Sequence, residues 1–176
     1  MKPESFRDLM RLVHGFESAK VFLVANDLDL FRHLDSQRRA ADLADELGVN
    51  ARALELLMNA LTALGLLEKS GDSFRNAPVA ARFLAGDSYR GHIFRHIHHC
   101  WESWNDLAGV LRRGSPDLVR ESLILHDEEG WNRDFIRGMD DVTRELAPLV
   151  VAQLDLAGAR RLLDLGGGPG TYARAF

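Results

Sequence analysis

Hydrophobic residues recur at spacings of three and four along most of the chain, and this period predicts a mainly α-helical protein. The first apolar stripe predicts a largely helical stretch, which "NDLDLF" interrupts. Its members are Phe6, Leu9, Met10, Val13 and Phe16, extended by Phe22 and Leu23. Each such side chain loses roughly 1.5–3 kcal/mol of hydrophobic stabilisation when it stays in water. A stripe that precedes the compact core therefore predicts a partner chain that covers it. We expect a homodimer built through the N-terminal helices.

A helix, a tight turn, a second helix and a hairpin are predicted from Ala40 onward. The first helix ends at Gly48, a residue suited to the left-handed stop after a helix, and Asn50 can cap the second. The second helix ends at Gly65, and its apolar stripe comprises Leu54, Leu57, Met58, Leu61 and Leu64. "LLEKSGDSFRNA" then predicts two short strands around a Ser-Gly-Asp turn. This order of elements is that of a winged helix-turn-helix.

A winged helix-turn-helix is often a DNA-binding module, so a transcriptional regulator is one candidate function. Reading DNA requires cations for the phosphates and long polar side chains for the base edges. The segment from Arg39 to Lys69 holds three basic and five acidic residues, a net charge of −2, and the whole chain carries −4. Such a surface repels phosphate, so we expect no nucleic-acid partner.

The second half of the chain predicts two longer helices. The first runs from Gly91 through a histidine-rich stretch to "GSP", which ends at Pro116. The second is marked by the apolar residues Trp131, Phe135, Met139, Val142, Leu146 and Leu149. Pro148 removes one helical hydrogen bond and clashes with the preceding turn, so we expect this helix to bend or break near Ala147.

Four histidines cluster in the first of these two helices, at positions His92, His96, His98 and His99. Three of them share one helix face, which superficially suggests zinc ligands. Side chains of a single helix rarely converge tetrahedrally without a ligand from another segment, and the sequence has no C-x-x-C or H-E-x-x-H spacing. We therefore expect no metal site. These imidazoles are expected to face solvent, the dimer partner or the acceptor pocket, and the sequence does not decide among the three.

The stretch "RRLLDLGGGPGTYARAF" predicts a strand, a glycine turn and the start of a helix. The apolar run Leu162–Leu165 is short and lacks helical spacing, which is typical of a strand buried in a parallel sheet. Thr171 opens the following helix, whose unpaired N–H groups face the loop. Ordering three consecutive glycines and Gly170 costs more backbone entropy than a plain turn would require. This cost favours a loop that binds a ligand over a turn without one.

Two kinds of ligand match this glycine loop. Read from Gly168, "GPGTYA" fits the G-x-G-x-x-A form of the dinucleotide fingerprint, so spacing alone leaves NAD open. The better match is acid-x-Gly-x-Gly-x-Gly, formed by Asp164, Gly166, Gly168 and Gly170. A carboxylate beside glycines that allow close approach suits a ligand with an ammonium group and no pyrophosphate, such as S-adenosylmethionine.

The order of these parts resembles the dimeric O-methyltransferases related to plant caffeate and bacterial small-molecule enzymes. The resemblance extends over essentially the whole chain and is carried by "ADLADELGVNARALELLMNALTALGLL", the W-x3-F-x3-M run and "LLDLGGGPGTYA". It implies that the winged helix serves dimerisation and substrate enclosure. It also implies that the acceptor is walled by Trp131, Phe135 and Met139. Family members usually have glycine where this chain has Asp29, a residue that tolerates a left-handed turn.

The resemblance implies two domains, a winged-helix dimerisation domain over 1–114 and, over 115–176, a linker helix with the first strand and turn of an incomplete Rossmann-like domain. The implied function is S-adenosylmethionine-dependent O-methylation of a small hydroxylated acceptor, aromatic or polyketide-like. The family's histidine base lies downstream of the glycine loop, so no catalytic residue is assigned. Alternative functions are a winged-helix DNA-binding regulator and a non-catalytic dimerisation fragment.

The glycine loop supplies only one edge of a cofactor site, so we expect this chain to bind S-adenosylmethionine weakly or not at all. A single parallel strand also needs neighbouring strands and covering helices, so residues from Arg160 onward are expected to be mobile or to dock unlike in an intact enzyme. The lone Cys100 excludes an internal disulfide framework, and "MKPESFRD" lacks the apolar core of a signal peptide. These features predict a cytoplasmic protein without a membrane partner.

Overall fold

The computed structural model of the protein describes residues 2–116 and 128–176. The chain forms two compact units, Met1–Tyr89 and Arg90–Phe176. Both are mainly helical, as the apolar spacing predicts, and the first holds a small sheet. Among the described helices, none combines the length and the apolar character that a membrane span requires. These units reflect contacts within this chain alone, so the domain division after residue 114 stays a prediction.

The first helix, α1 (Phe6–Asp27), begins with a reciprocal cap. The Ser5 hydroxyl accepts from the Asp8 amide at 3.2 Å, and the Asp8 carboxylate accepts from the Ser5 amide at 3.0 Å. Its buried residues lie near its C-terminal end, at Leu23, Ala25 and Asn26. The N-terminal turns of α1 therefore present their apolar stripe to the outside of this unit.

A left-handed residue connects α1 to a short 3-10 helix, Leu30–His33. Asp29 adopts φ 53°, which confirms that aspartate maintains this turn without a glycine. Phe31 and Leu34 then enter the core, with 1% and 0% of their surface exposed.

Two helices and a hairpin follow in the predicted order. Helix α2 (Ala40–Leu47) ends at Gly48 with φ 64°, and helix α3 (Ala51–Ala63) begins with the Asn50 side chain accepting from the Ala53 amide. Three antiparallel strands form a sheet of order β1-β3-β2: β1 (Arg38–Arg39), β2 (Leu67–Ser70) and β3 (Ser73–Asn76). Helix α4 (Pro78–Phe83) closes the unit. The largest fully buried apolar side chains of this first unit are Phe31, Phe74, Leu30, Leu34, Leu43, Met58 and Leu61.

The second unit contains two packed helices and shorter segments. Its described helices are α5 (Gly91–Asn105), α6 (Leu107–Arg113), α7 (Glu128–Thr143), α8 (Leu146–Val151) and α9 (Thr171–Ala175). Helix α5 packs along α7, and α9 packs on α8 and α7. The backbones of α5 and α7 approach closely at Gly138, where an added Cβ would lie 2.9 Å from the Ile93 Cα. A larger residue at this position would push the two helices apart.

The helix break attributed to Pro148 lies earlier than predicted. Helix α7 ends at Thr143 and α8 begins at Leu146, so Pro148 sits in the first turn of a new helix rather than at the break. The first amides of a helix have no intrahelical acceptor, so proline is tolerated there.

The predicted strand Leu162–Leu165 is not formed, and this part of the fold prediction is wrong for the chain as described. Leu162, Leu163 and Leu165 are 52%, 79% and 83% exposed. A parallel strand needs partners on both edges, and no neighbouring strand lies beside this segment within the described residues. The helix predicted to open at Thr171 is present.

Candidate functional site

The glycine loop has the backbone conformation that its sequence predicts. Gly166, Gly168 and Gly170 have φ angles of 69°, 54° and 70°, a region that favours glycine. A Cβ added at Gly166 or Gly168 would meet no atom within 4 Å. The two positions therefore face open space, so their lack of a side chain is not explained by packing against the protein.

Asp164 lies over this loop. A Cβ added at Gly167 would overlap the Asp164 carboxylate, so the carboxylate packs directly on the loop backbone at this glycine. The structure thus brings Asp164 together with the three predicted glycines, and Asp164 remains exposed. The residues fit the methionine end of S-adenosylmethionine, because an accessible carboxylate can pair with its ammonium group and bare backbone allows close approach. The elements described around the loop offer no second edge for the adenosyl half.

The three predicted acceptor-wall residues lie on α7. The rings of Trp131 and Phe135 stack with centroids 5.5 Å apart. Met139 is one turn further along, half-buried, and its carbonyl accepts from the Thr143 hydroxyl at 2.6 Å. Phe135 remains 37% exposed. The structure therefore joins Trp131 and Phe135 in one aromatic surface and continues it along the helix to Met139.

The most buried face of α7 is not its apolar stripe. It consists of Gly130, Asp134, Gly138 and Asp141. Apolar residues of the helix are more exposed, at 43% for Ile136 and 57% for Val142. Periodicity alone could not exclude that this stripe packs in the core. The apolar side chains of the helix are, however, less buried than those of an amphipathic helix normally are.

His96 is part of the aromatic surface, although the sequence did not decide among the three surroundings expected for it. Its ring lies 5.0 Å from Trp131 in an edge-on arrangement and 5.1 Å from Phe135. Burial lowers the pKa of His96 below its ordinary value, and the neighbouring His99 acts in the same direction. The imidazole is therefore neutral at pH 7. The signal available in the sequence was the shared helix face of the histidines.

Asp134 lies buried between two histidines of α5, and sequence reasoning missed it. Its carboxylate is 3.2 Å from His99 Nε2 and 3.7 Å from His92 Nδ1. Only the His99 contact is within hydrogen-bond distance, and Asp134 Oδ1 has no hydrogen-bond partner among the described groups. Two of the four clustered histidines thus contact one aspartate on the facing helix. In the described parts of the chain, no three His, Cys, Asp or Glu side chains are placed to hold a metal ion.

Asp141 caps α5 from the neighbouring helix. Its Oδ2 accepts from the amides of His92 and Ile93 at 3.0 and 3.2 Å. These amides belong to the first turn of α5, which has no side-chain cap of its own. Burial raises the pKa of Asp141 above its ordinary value, although the two amide hydrogen bonds oppose the shift.

The exposed stripe of α1 forms a separate surface in the first unit. Phe6, Val13 and Phe16 are 77%, 61% and 56% exposed, and Leu9 and Met10 are also exposed. Leu12 adds to this surface at 71% exposure. So much apolar area on consecutive turns of one helix is typical of a surface that another chain covers.

The chain has matches to a family and to known proteins. Residues 10–86 match the family model of the O-methyltransferase dimerisation domain. The chain is 29% identical over 168 residues to 3-hydroxy-5-methyl-1-naphthoate 3-O-methyltransferase of Streptomyces sahachiroi, a match that covers 92% of this chain and 49% of that protein. The segment that matches the family model begins within α1 and includes α2, α3, α4 and the sheet.

Solved structures give the same result. An O-methyltransferase family protein from Burkholderia thailandensis is 31% identical, with a TM-score of 0.81, and the match covers 99% of this chain and 53% of that one. PigF, solved with SAH, is 25% identical with a TM-score of 0.83, covering 98% and 55%. This chain thus spans about half the length of the proteins it matches. Residues 10–86 therefore match an O-methyltransferase dimerisation domain, and the chain as a whole is similar to proteins named O-methyltransferases.

Proposed function

We propose that the protein to which this chain belongs is an S-adenosylmethionine-dependent O-methyltransferase. The observation that carries the proposal is the glycine loop, where Gly166 and Gly168 hold left-handed conformations facing open space. Asp164 lies on the same loop as an exposed carboxylate. PigF, which shares the fold and 25% of the sequence, was solved with SAH, the molecule that remains when S-adenosylmethionine has given up its methyl group.

We assign the methionine end of the cofactor to Asp164, Gly166, Gly168 and Gly170. S-adenosylmethionine, when bound, supplies a methyl group carried on a sulfonium ion. The side chains of this chain orient the acceptor and exclude water from it, since positioning provides much of the rate in such transfers. No residue of this chain is assigned as the base that deprotonates the acceptor hydroxyl.

We propose that the acceptor is a small hydroxylated aromatic or polyketide-like molecule. Trp131, Phe135 and Met139 present a partly exposed apolar surface that a flat aromatic ring can cover. The half-exposed state of this stripe supports a ligand-facing role over core packing. The Streptomyces relative carries a naphthoate in its name, which points to the same chemical class.

We further propose that the first unit is a winged helix that serves dimerisation rather than DNA binding. Helices α2 and α3 followed by the β2–β3 hairpin have the expected element order. The exposed stripe of α1 supplies the surface for a second copy. The segment from Arg39 to Lys69 has a net charge of −2, which opposes binding to phosphates.

The direct test is calorimetry with S-adenosylmethionine on two proteins. One is this 176-residue chain, and the other continues it through a complete Rossmann-like domain. We expect the longer protein to bind and the short chain to bind weakly or not at all, because the described loop forms one edge of the site. Gly168→Val in the longer protein, which places a β-branched side chain at φ 54°, is expected to abolish binding.

An exposed glycine outside the loop provides the control. Gly15→Ala lies in α1, where an added Cβ meets no atom within 4 Å, and it is expected to leave cofactor affinity unchanged. Absence of binding by the longer protein would contradict the proposed function. Tight binding by the short chain would contradict the view that its site is incomplete.

A further inference from the structure

The helix that follows the glycine loop is held by an aspartate of α7. Helix α9 has five residues, and its N-cap residue Gly170 offers no side-chain hydrogen bond. A helix this short is not stable alone in water, because forming the first turn is unfavourable. Thr171 is nevertheless buried, with 7% of its surface exposed. Contacts to other elements must therefore fix its position.

Asp140 supplies those contacts. Its Oδ1 accepts from the Thr171 hydroxyl at 2.5 Å and from Arg174 Nη2 at 2.7 Å. Its Oδ2 accepts from Arg144 Nη2 at 2.6 Å. The Asp140 side chain is only 18% exposed and Thr171 is buried, so solvent competes weakly for the bond between them. The Arg174 and Arg144 side chains are 63% and 42% exposed.

The charge of Asp140 is matched by its surroundings. Burial alone would raise its pKa, but the Thr171 hydroxyl and the guanidinium groups of Arg144 and Arg174 together lower it below the ordinary value. The carboxylate is therefore ionised at neutral pH. Both of its oxygens accept hydrogen bonds, an arrangement that asparagine cannot reproduce because one of its terminal atoms is a donor.

The same contacts reach the glycine loop. Arg174, held by Asp140, also donates from Nη1 to the Pro169 carbonyl at 2.6 Å. Pro169 stands between Gly168 and Gly170, two of the proposed cofactor-binding positions. One side chain of α7 thus restrains the C-terminal side of the loop, directly through Thr171 and through the Arg174 guanidinium.

Asp140 follows directly after Met139 in α7. The opposite side of this helix is fixed against α5, where Gly138 meets the Ile93 backbone. Asp140 therefore connects the loop to a helix that has little freedom to move. Trp131 and Phe135, whose ring centroids lie 5.5 Å apart, are on this same helix.

We propose that Asp140 is a positioning residue that sets the glycine loop relative to the acceptor wall on α7. This inference rests on the proposed function, since it assigns cofactor contact to the loop and acceptor contact to the wall. Methyl transfer requires the two ligands to be aligned within a small tolerance, and a displacement of about 1 Å can reduce the rate about a hundredfold. Asp140 restrains the relative position of the two sites through its hydrogen bonds.

The first measurement does not depend on activity. Hydrogen exchange of the Arg174 and Phe176 amides, which bond to the Gly170 and Tyr172 carbonyls, is compared in the 176-residue chain and in its Asp140→Asn variant. We expect exchange to become about tenfold faster in the variant, because hydrogen bonds to a charged group are lost. Asp45→Asn, at an exposed position in α2, is the matched control and should leave the exchange unchanged. Equal exchange in Asp140→Asn and the parent chain would overturn the proposal.

The second measurement uses the longer protein with a complete Rossmann-like domain. Asp140→Asn and Thr171→Val should each raise the Kd for S-adenosylmethionine about tenfold and lower kcat. Thr171→Ser retains the hydroxyl and should restore both values, which a purely structural loss of stability would not predict. The double variant should be little worse than Asp140→Asn alone, since both changes act on the contact between Asp140 and Thr171.

The outcomes separate this inference from the proposed function. If the parent protein binds no S-adenosylmethionine, the proposed function fails and the positioning role fails with it. If the parent binds and Asp140→Asn binds equally well with unchanged kcat, the positioning role alone is overturned. The positioning role is supported if affinity and kcat fall in Asp140→Asn and Thr171→Val but are retained in Thr171→Ser.

Discussion

Three aspartates of α7 have different surroundings and therefore different chemistry. Asp134 faces two imidazoles, Asp140 faces two guanidinium groups and a hydroxyl, and Asp141 faces two backbone amides. The pKa of Asp140 is lowered, whereas burial raises the pKa of Asp141. The pKa values of two neighbouring carboxylates on one helix are thus shifted in opposite directions. The direction of each shift depends on which groups donate to the buried oxygen atoms.

These aspartates could not be predicted from the sequence, because their partners are far along the chain. Asp140 pairs with residues 31 and 34 positions away, and Asp141 with residues 48 and 49 positions away. By contrast, the left-handed conformations of Asp29 and Gly170 were predictable, because they depend on the residue itself and its immediate turn. Local backbone geometry is encoded locally, and long-range polar contacts require the fold.

Met139→Ala tests the proposed acceptor wall in the longer protein. A half-buried side chain that borders the acceptor should lose about tenfold or more in kcat/KM when truncated, with a modest change in Tm. A core side chain would instead cost about 2–5 kcal/mol of stability with little selective loss of activity. Ile136→Ala, on the same helix at 43% exposure, is the control. A normal kcat/KM with a lowered Tm would show that Met139 packs in the core and does not border the acceptor.

His96 should make stability depend on pH below neutrality. Its pKa is lowered in the folded state, so the unfolded chain takes up the proton first as the pH falls below the ordinary value of 6.5. The folded state therefore loses stability between pH 6.5 and the lowered pKa. His96→Phe, which keeps an aromatic ring beside Trp131, should flatten this slope in denaturant unfolding measured from pH 7 to pH 5.

His92 also has a pKa lowered by burial, so some slope should remain in His96→Phe. Identical slopes in His96→Phe and the parent chain would show that His96 does not titrate differently on folding.

At the scale of elements, the helices and the hairpin of the first unit follow from apolar spacing and turn residues. The glycine stop at Gly48 and the Asn50 cap lie at the predicted positions. The break before Pro148 was predicted at the wrong position. Proline disrupts a helix interior but is accepted in a first turn, and only the structure shows which of the two Pro148 occupies. The buried face of α7 was missed because its residues are glycine and aspartate, which carry no apolar signal.

Helix α1 leads to a prediction about assembly. Val13 is 61% exposed in the middle of the apolar stripe, and Leu111 of α6 is 77% exposed outside it. If the stripe is the dimer surface, Val13→Asp should weaken the dimer about tenfold or more, because the interface would bury an unpaired carboxylate. Leu111→Asp introduces the same charge and should leave the association unchanged. Sedimentation across a concentration series measures both.

A parent chain that sediments as a monomer at every concentration would contradict the proposed homodimer. A dimer that tolerates Val13→Asp as well as it tolerates Leu111→Asp would place the interface elsewhere. Circular dichroism of each variant shows whether the helices are retained, so a folding defect is not mistaken for a loss of assembly.

At the scale of the whole molecule, the chain combines a well-formed first unit with a second unit that leaves much apolar surface exposed. Leu162, Leu163 and Leu165 are all more than half exposed, and so is Leu149 at 65%. The matched proteins are about twice as long as this chain. The sequence motif of the cofactor loop was therefore recognisable, whereas the strand that should carry it needs partners that the described residues do not provide.

The segment Leu162–Leu165 should become a strand when the chain continues through a complete Rossmann-like domain. Each exposed leucine that becomes buried contributes roughly 1.5–3 kcal/mol, and parallel neighbours would pair the backbone groups that now face water. We expect amide exchange at these residues to slow by about a hundredfold or more relative to the 176-residue chain. The exposed stretch Asp155–Gly158 is the internal control, since it precedes the predicted strand and should exchange rapidly in both proteins. Equally fast exchange of Leu162–Leu165 in both proteins would contradict the Rossmann-like assignment, because a strand within such a sheet cannot leave its amides open to water.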